Sequence, residues 1–320
     1  MEDTPVVPEA PAPVEDKPMN LWFVFVGGGA CGEVAAGAAA FLTEKGWWDL
    51  AKGAVGTSVG GLNACTLAKG GAPLLKKVWA SIQKDEDVYT PAIPGSKWDY
   101  LNPIILAKMA MAALRFVKST SFFDTTPLQQ IVENTFGSIT TDDIFKATGK
   151  RLLVRSYNYA TGMMETLFGK LIHMALATSA IEGAFAAHKG HGDGGIGDNN
   201  PIDVAVKNGA THIAVFYCGP DSPEKPTDDV NMTDDTPDGP PRTGLQNIID
   251  AANHIVGQNE ELVWRICQNY GGVSFVHIIP SGDTGSCLDF KKRGLWEMGY
   301  NISGPQALLD AQVLGWKVPC

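Results

Sequence analysis

Two stretches decide the fold of this chain: Leu21-Trp22-Phe23-Val24-Phe25-Val26-Gly27-Gly28-Gly29-Ala30-Cys31-Gly32, and Ala54-Val55-Gly56-Thr57-Ser58-Val59-Gly60-Gly61. In each, a short apolar run stops at glycines and gives way to residues that favour a helix. Leu21 to Val26 reads as a buried strand, and Glu33 to Lys45 as an alanine-rich helix that should stop at Gly46. Lys52 to Thr57 reads as a second strand, with Ser58 opening a helix toward Lys69. A repeated strand–turn–helix order predicts an α/β fold whose mainly parallel sheet carries helices on its faces. Ligands in such sheets sit at the carboxyl ends of the strands, so both glycine turns are expected on one edge.

The second turn satisfies G-x-S-x-G through Gly56, Ser58 and Gly60, the sharp bend that lifts a serine hydroxyl above a sheet. The first can present backbone N–H groups to a developing oxyanion. Much later comes Asp193-Gly194-Gly195-Ile196-Gly197-Asp198-Asn199-Asn200-Pro201, which offers a carboxylate as base. Asp198, Asn199 and Asn200 are expected to bond backbone groups as the chain enters the next helix. Nucleophile, oxyanion donors and base together suggest a serine acyl hydrolase.

In that order, GGGxxG, GTSVGG and DGGIGDNNP resemble the patatin-like phospholipase family. Phe123-Asp124-Thr125-Thr126-Pro127-Leu128 is similar to the family's D-x-x-P-L turn, and Ala175 to Phe185 to its A-x-x-A-S-x-A block. The resemblance spans roughly residues 21–217. It departs from the family pattern at Cys31, where Arg or Lys is usual, and near Glu182-Gly183, where Pro is usual. The resemblance implies a three-layer α/β/α architecture and a Ser58–Asp193 dyad without histidine. Ser58 would attack an acyl ester while Asp193 takes its proton. The Gly27, Gly28, Gly29 and Ala30 turn would hold the oxyanion, and Gly194 and Gly195 would let backbone pass close to the serine. It implies (lyso)phospholipid substrates met at a membrane or micelle surface, no cofactor and no metal.

Composition agrees with a soluble globular protein: 320 residues, 44% apolar and 19% charged. A net charge of −10 argues against a nucleic-acid partner, whose phosphates need a basic footprint. Six cysteines show no C-x-x-C pairing, which suggests reduced thiols in a cytosol-like compartment, with Cys31 and Cys65 as small packed residues. No secretory signal and no membrane-spanning run are visible, so contact with a membrane is expected to be peripheral. Scattered histidines and carboxylates show no zinc or calcium spacing. Whether a protein activator is needed is not legible.

Residues 1–19 read as a disordered Pro/Glu-rich tail, and 20–320 as one domain carrying an acidic Pro-rich loop at 221–243. Residues 104–117 (IILAKMAMAALRFV) read either as a core-packing helix or as a cap over an acyl pocket or a membrane-contacting face. Rival functions remain open. Residues 27–32 also satisfy G-x-G-x-x-G, with Asp49 roughly where a ribose-binding acid belongs, although Asp49 precedes the second strand instead of closing it. An α/β-hydrolase triad would use His277, a lipid-binding protein would keep the fold without turnover, and a transacylase would pass the acyl group to an alcohol.

Overall fold

The sheet is built from the glycine-punctuated strands outward. The computed structural model describes residues 18–90, 121, 123–219, 270–291 and 294–319. The tail up to residue 17, the 91–95 loop, the 104–117 segment, the acidic stretch at 221–243 and the helix expected over 244–269 lie outside the described residues. Strand β1 (Leu21–Phe25) is followed by helix α1 (Gly32–Glu44) and the short α2 (Trp47–Leu50). Gly46 between these helices is left-handed at φ 81°, which stops α1 where the glycine predicts. Strand β2 (Ala51–Thr57) then runs into α3 (Val59–Ser81), which breaks its helical geometry at Gly71 (φ 65°), two residues before Pro73.

Next come α4 (Thr126–Phe136), α5 (Thr141–Thr148), β3 (Arg151–Asn158), β4 (Met163–Leu167) and α6 (Leu171–Thr178). Strand β5 (His191–Asp193), α7 (Ile202–Lys207), β6 (His212–Phe216) and β7 (Ser274–Ile278) follow. The chain finishes with α8 (Leu295–Met298), a π-helical turn at Gly299–Ser303 and α9 (Gly304–Val313). A helix starting near Phe290 is the sequence expectation. Instead the left-handed Gly294 (φ 85°) delays its start to Leu295.

The strands form a seven-stranded sheet in the order β4-β3-β2-β1-β6-β7, with β5 paired to β3. The neighbours from β3 through β7 along that order are parallel, while β4 and β5 pair antiparallel with β3. Alternation along β1 sends Phe23 and Phe25 to one face, and Trp22 and Val24 to the other. On the first face Phe216 packs 5.0 Å from Phe23 and 4.6 Å from Phe25, against the α1 and α3 side. Each such ring contributes about 1.5–3 kcal/mol through burial. The second face packs on Ile202, Val204 and Ala205 of α7. Helices thus cover both faces of a mostly parallel sheet, the three-layer α/β/α arrangement expected from the sequence.

Register decides what meets at the top of the sheet. Thr57, the last residue of β2, pairs with Arg155 of β3. The next residue of β3, Ser156, pairs with Asp193 of β5. Residues 58 and 193, 135 positions apart in sequence, are thereby delivered to one edge.

Candidate active site

Ser58 sits between β2 and α3 at φ 56° and ψ −132°, a region that non-glycine residues rarely enter and that costs about 1–3 kcal/mol. The flanking glycines make this bend possible. A Cβ on Gly56 would strike the Gly60 carbonyl, and one on Gly60 would lie 2.6 Å from the Val26 carbonyl oxygen. The bend is held from several sides. The Ser58 N–H donates to Thr178 Oγ1 (2.8 Å), whose hydroxyl donates to the Arg155 carbonyl (2.6 Å). The Ser58 carbonyl accepts from the N–H groups of Gly61 and Leu62 in the first turn of α3. The side chain is left 8% exposed at the amino end of that helix.

Asp193 closes β5 and is 5% exposed. Its N–H donates to the Ala180 carbonyl (2.9 Å), and its Oδ1 accepts from the Gly195 N–H (2.7 Å). Oδ2 is buried without a hydrogen bond of normal geometry. Burial pushes the carboxyl up to about 6, offset in part by the adjacent Ser58 hydroxyl and the Gly195 N–H. The Ser58 hydroxyl therefore lies beside the carboxyl. Candidate catalytic hydrogen bonds are often loose without a ligand. Gly194 packs where a Cβ would meet the Arg155 carbonyl oxygen at 2.7 Å and Thr57 Cγ2 at 2.8 Å, so the aspartate loop lies directly against the elbow.

The first glycine turn lies beside Ser58: a Cβ on Gly27 would fall 2.9 Å from the serine Cβ. Its four N–H groups are not equivalent. Gly27 donates to the Asn199 carbonyl (3.3 Å) and Ala30 to the Cys287 carbonyl (2.7 Å). Among the described residues nothing accepts from Gly28 or Gly29, which leaves those two N–H groups for a ligand. Asn199 ties the aspartate loop to this turn a second time through its Nδ2 to the Gly27 carbonyl (3.2 Å). Asp198 is bound elsewhere: Arg155 Nε lies 2.6 Å from its Oδ2, and its carbonyl accepts from Thr57 Oγ1 (2.8 Å). It supports the loop through the Arg155 side chain and not through the backbone groups expected, and among the described residues the Asn200 side chain bonds none either.

Behind Ser58 opens an apolar pocket. Gly29, Ser58 and Val59 line it, and Leu62 and Thr66 extend it along α3. Trp79, Val132, Phe136 and Leu288 are among the residues on its other walls. Cys31, Cys65, Cys218 and Cys287 are buried thiols, and burial pushes the Cys65 and Cys287 thiols up to about 12. They behave as packed apolar groups. Cys31, where the family has a basic residue, points its Sγ at the carbonyls of Thr284 (3.5 Å) and Gly285 (3.4 Å).

His277 belongs to another part of the sheet. The cross-strand row Val55–Val24–Val215–His277 puts three strand spacings between it and β2, about 14 Å. Its Nδ1 lies 2.9 Å from the Tyr217 hydroxyl, and burial lowers its pKa to about 4. Sequence reasoning missed the Thr178 hydroxyl, the double tie of Asn199, the Arg155–Asp198 pair and the Cys287 carbonyl. Thr178, Asn199 and Asp198 lie inside quoted motifs, yet nothing in those motifs marks their partners.

A hydroxyl on a strained strand–helix bend, a buried carboxylate beside it and two unengaged N–H groups form a constellation suited to acyl transfer. The patatin-like phospholipase model matches residues 23–206, which contain all of these groups. The chain belongs to the patatin-like phospholipase family, a family of lipid acyl hydrolases. Among solved structures it is similar to VipD from Legionella pneumophila at 14% identity and a TM-score of 0.42, covering 92% of this chain and 67% of that one. At that score the likeness is loose, and the assignment rests on the family match. No curated protein sequence matches the chain.

Proposed function

We propose that this protein cleaves fatty-acyl esters of phospholipids or lysophospholipids through a Ser58–Asp193 dyad. The observation that carries the reading is the juxtaposition of Ser58, strained at φ 56°, with the buried Asp193 at the mouth of an apolar cavity. Asp193 accepts the Ser58 proton as the hydroxyl oxygen attacks the ester carbonyl. The resulting oxyanion is held by the N–H groups of Gly28 and Gly29, the two that no protein carbonyl occupies. Gly27 and Ala30 then serve to fix the turn. Collapse of the tetrahedral intermediate releases the alcohol, which takes back the proton. A water molecule deprotonated by Asp193 next attacks the acyl-serine and frees the fatty acid. The carboxyl, raised to about 6, is a stronger base than an ordinary aspartate and is still ionised at neutral pH.

The cavity supports a long apolar acyl chain because its walls are almost wholly aliphatic and aromatic. The distance and burial of His277 speak against a histidine triad. Contact with lipid is peripheral in this reading, since no helix among the described residues is long and apolar enough to cross a membrane. The deciding experiment measures fatty-acid release from phospholipid vesicles and micelles, with chelator present, by wild type, Ser58→Ala and Asp193→Asn. Release by wild type that both substitutions abolish supports the dyad. Activity surviving Asp193→Asn would overturn it.

A further inference from the structure

A second, smaller cavity shares Leu128, Ser179 and Phe185 with the apolar one but differs in chemistry. Its lining includes Thr125, Gln129, Ala180 and His188 and, among the described residues, no carboxylate. That is notable in a chain of net charge −10. The cavity also abuts the site. Ala180 accepts the Asp193 N–H, and Thr178, one residue before the shared Ser179, holds the Ser58 N–H.

Hydrogen-bond direction defines what this cavity offers. Lys189 Nζ lies 2.7 Å from His173 Nε2, and an ammonium can only donate, so that nitrogen is an acceptor. The ring proton of His173 therefore sits on Nδ1 and is donated to His188 Nε2, 3.2 Å away. His188 must then carry its own proton on Nδ1, where no described group accepts it. Nor does any described group bond the side-chain oxygen of Thr125 or the side chain of Gln129. The cavity thus gathers three unengaged donors, one backed through two imidazoles by a lysine. Lys170 adds a second cation near His173. Of the acids around it, Glu165 is engaged by His191 (3.1 Å) and Asn158 (2.8 Å), and Asp124 accepts from the N–H and hydroxyl of Thr126.

The backbone holds this array at a cost. His188 to His191 form a tight hairpin turn, closed by His188 N–H to the His191 carbonyl (2.9 Å) and the reverse bond (3.0 Å). Lys189 occupies φ 53° at its first central position and Gly190 φ 80° at the second. Asn, Asp or Gly normally fill the first position. A lysine retained there, with its ammonium on His173, is a strained residue with a local purpose.

We propose that this cavity is a subsite for the phosphate group of a phospholipid headgroup, bound by His188, Thr125 and Gln129 with Lys189 as the relayed charge. The proposal rests on the acyl-hydrolase reading. It places the acyl chain and the phosphate on opposite sides of the Leu128–Ser179–Phe185 wall.

The test compares 1-palmitoylglycerol 3-phosphate with 1-palmitoylglycerol, substrates that differ only by phosphate, using wild type, Lys189→Asn and Gln129→Leu. Asparagine tolerates the left-handed backbone, so the first substitution removes charge without breaking the turn. The expected result is that the KM ratio of phosphorylated to neutral substrate rises about tenfold, the loss of one charge-assisted hydrogen bond. An unchanged ratio would overturn the proposal, because a merely structural role moves both KM values together. If wild type cleaves neither substrate, the acyl-hydrolase reading fails. Glycerol 3-phosphate titrated into Ser58→Ala, followed by histidine ring NMR, then still decides the subsite: saturable shifts of His188 and His173 support it and their absence refutes it. Shifts with inorganic phosphate but none with glycerol 3-phosphate would assign the cavity to free phosphate and overturn the headgroup assignment.

Discussion

Replacing Asp193 with Asn should destroy turnover and yet make the protein more stable at neutral and alkaline pH. Burial raises this carboxyl from its ordinary 3.8 to about 6, and Oδ2 has no hydrogen bond of normal geometry to compensate. A rise of that size corresponds to about 3 kcal/mol of destabilisation whenever the folded protein must carry the charge. The sign follows from linkage. A raised carboxyl favours folding below pH 3.8, where it is neutral in both states, and that advantage disappears as pH climbs through about 6. Asparagine keeps an oxygen for the Gly195 N–H and turns an NH2 toward Ser58, so the neutral replacement relieves the penalty without orphaning its neighbours. The gain should be about 3 kcal/mol at pH 8, or at least about 5 °C in Tm. It should shrink through pH 6 and vanish near pH 4. Urea unfolding of wild type and variant at pH 8, 6 and 4 measures it. A variant less stable than wild type at pH 8, or a gap that does not change with pH, would refute the reasoning.

The same carboxyl sets the acid limb of the rate profile: kcat/KM should fall about tenfold per pH unit below pH 6, and a limb near pH 4 would remove Asp193 as the base. Gly29→Ala should lower kcat by about 10²–10³-fold, because Gly29 sits at φ 55° and a Cβ would press on the Cys287 carbonyl carbon at 2.8 Å. Steady-state hydrolysis of a soluble ester reports it, and an active variant would show that this N–H is not used. Thr178→Val should cost about 1–3 kcal/mol per group left unpaired, since the Ser58 N–H and the Arg155 carbonyl both lose their partner. Urea unfolding gives the stability, and a loss of kcat beyond the loss of folded protein would show the elbow shifting.

The sequence was most informative where local chemistry is one-dimensional. Strands that end in glycine, a helix stopped by Gly46 and the G-x-S-x-G bend each depend on neighbours in the chain, and each stands within a residue or so of its expected place. The parallel sheet followed from their order. What could not be read is long-range pairing. The three-residue β5 is too short for any periodicity, yet it brings Asp193 onto β3. Which N–H groups of the first glycine turn are free depends on carbonyls of Asn199 and Cys287, far along the chain. The small cavity and its relay join residues of α4 and α6 with the loop from Ser179 to Lys189, and no spacing of histidines announces them.

The clamp on the first glycine turn has a consequence for synthesis. That turn is made well before the segment that clamps it. Its Ala30 N–H waits for the Cys287 carbonyl, and Cys31 Sγ for a Thr284 carbonyl 253 residues away in sequence. At about 5–20 residues per second, that interval is about 13–50 seconds of translation. Throughout it the serine elbow can form, while the turn beside it lacks the strut that aims its N–H groups. The N–H groups of Gly28 and Gly29 would in this way be aimed only once the segment around residues 284–287 has docked.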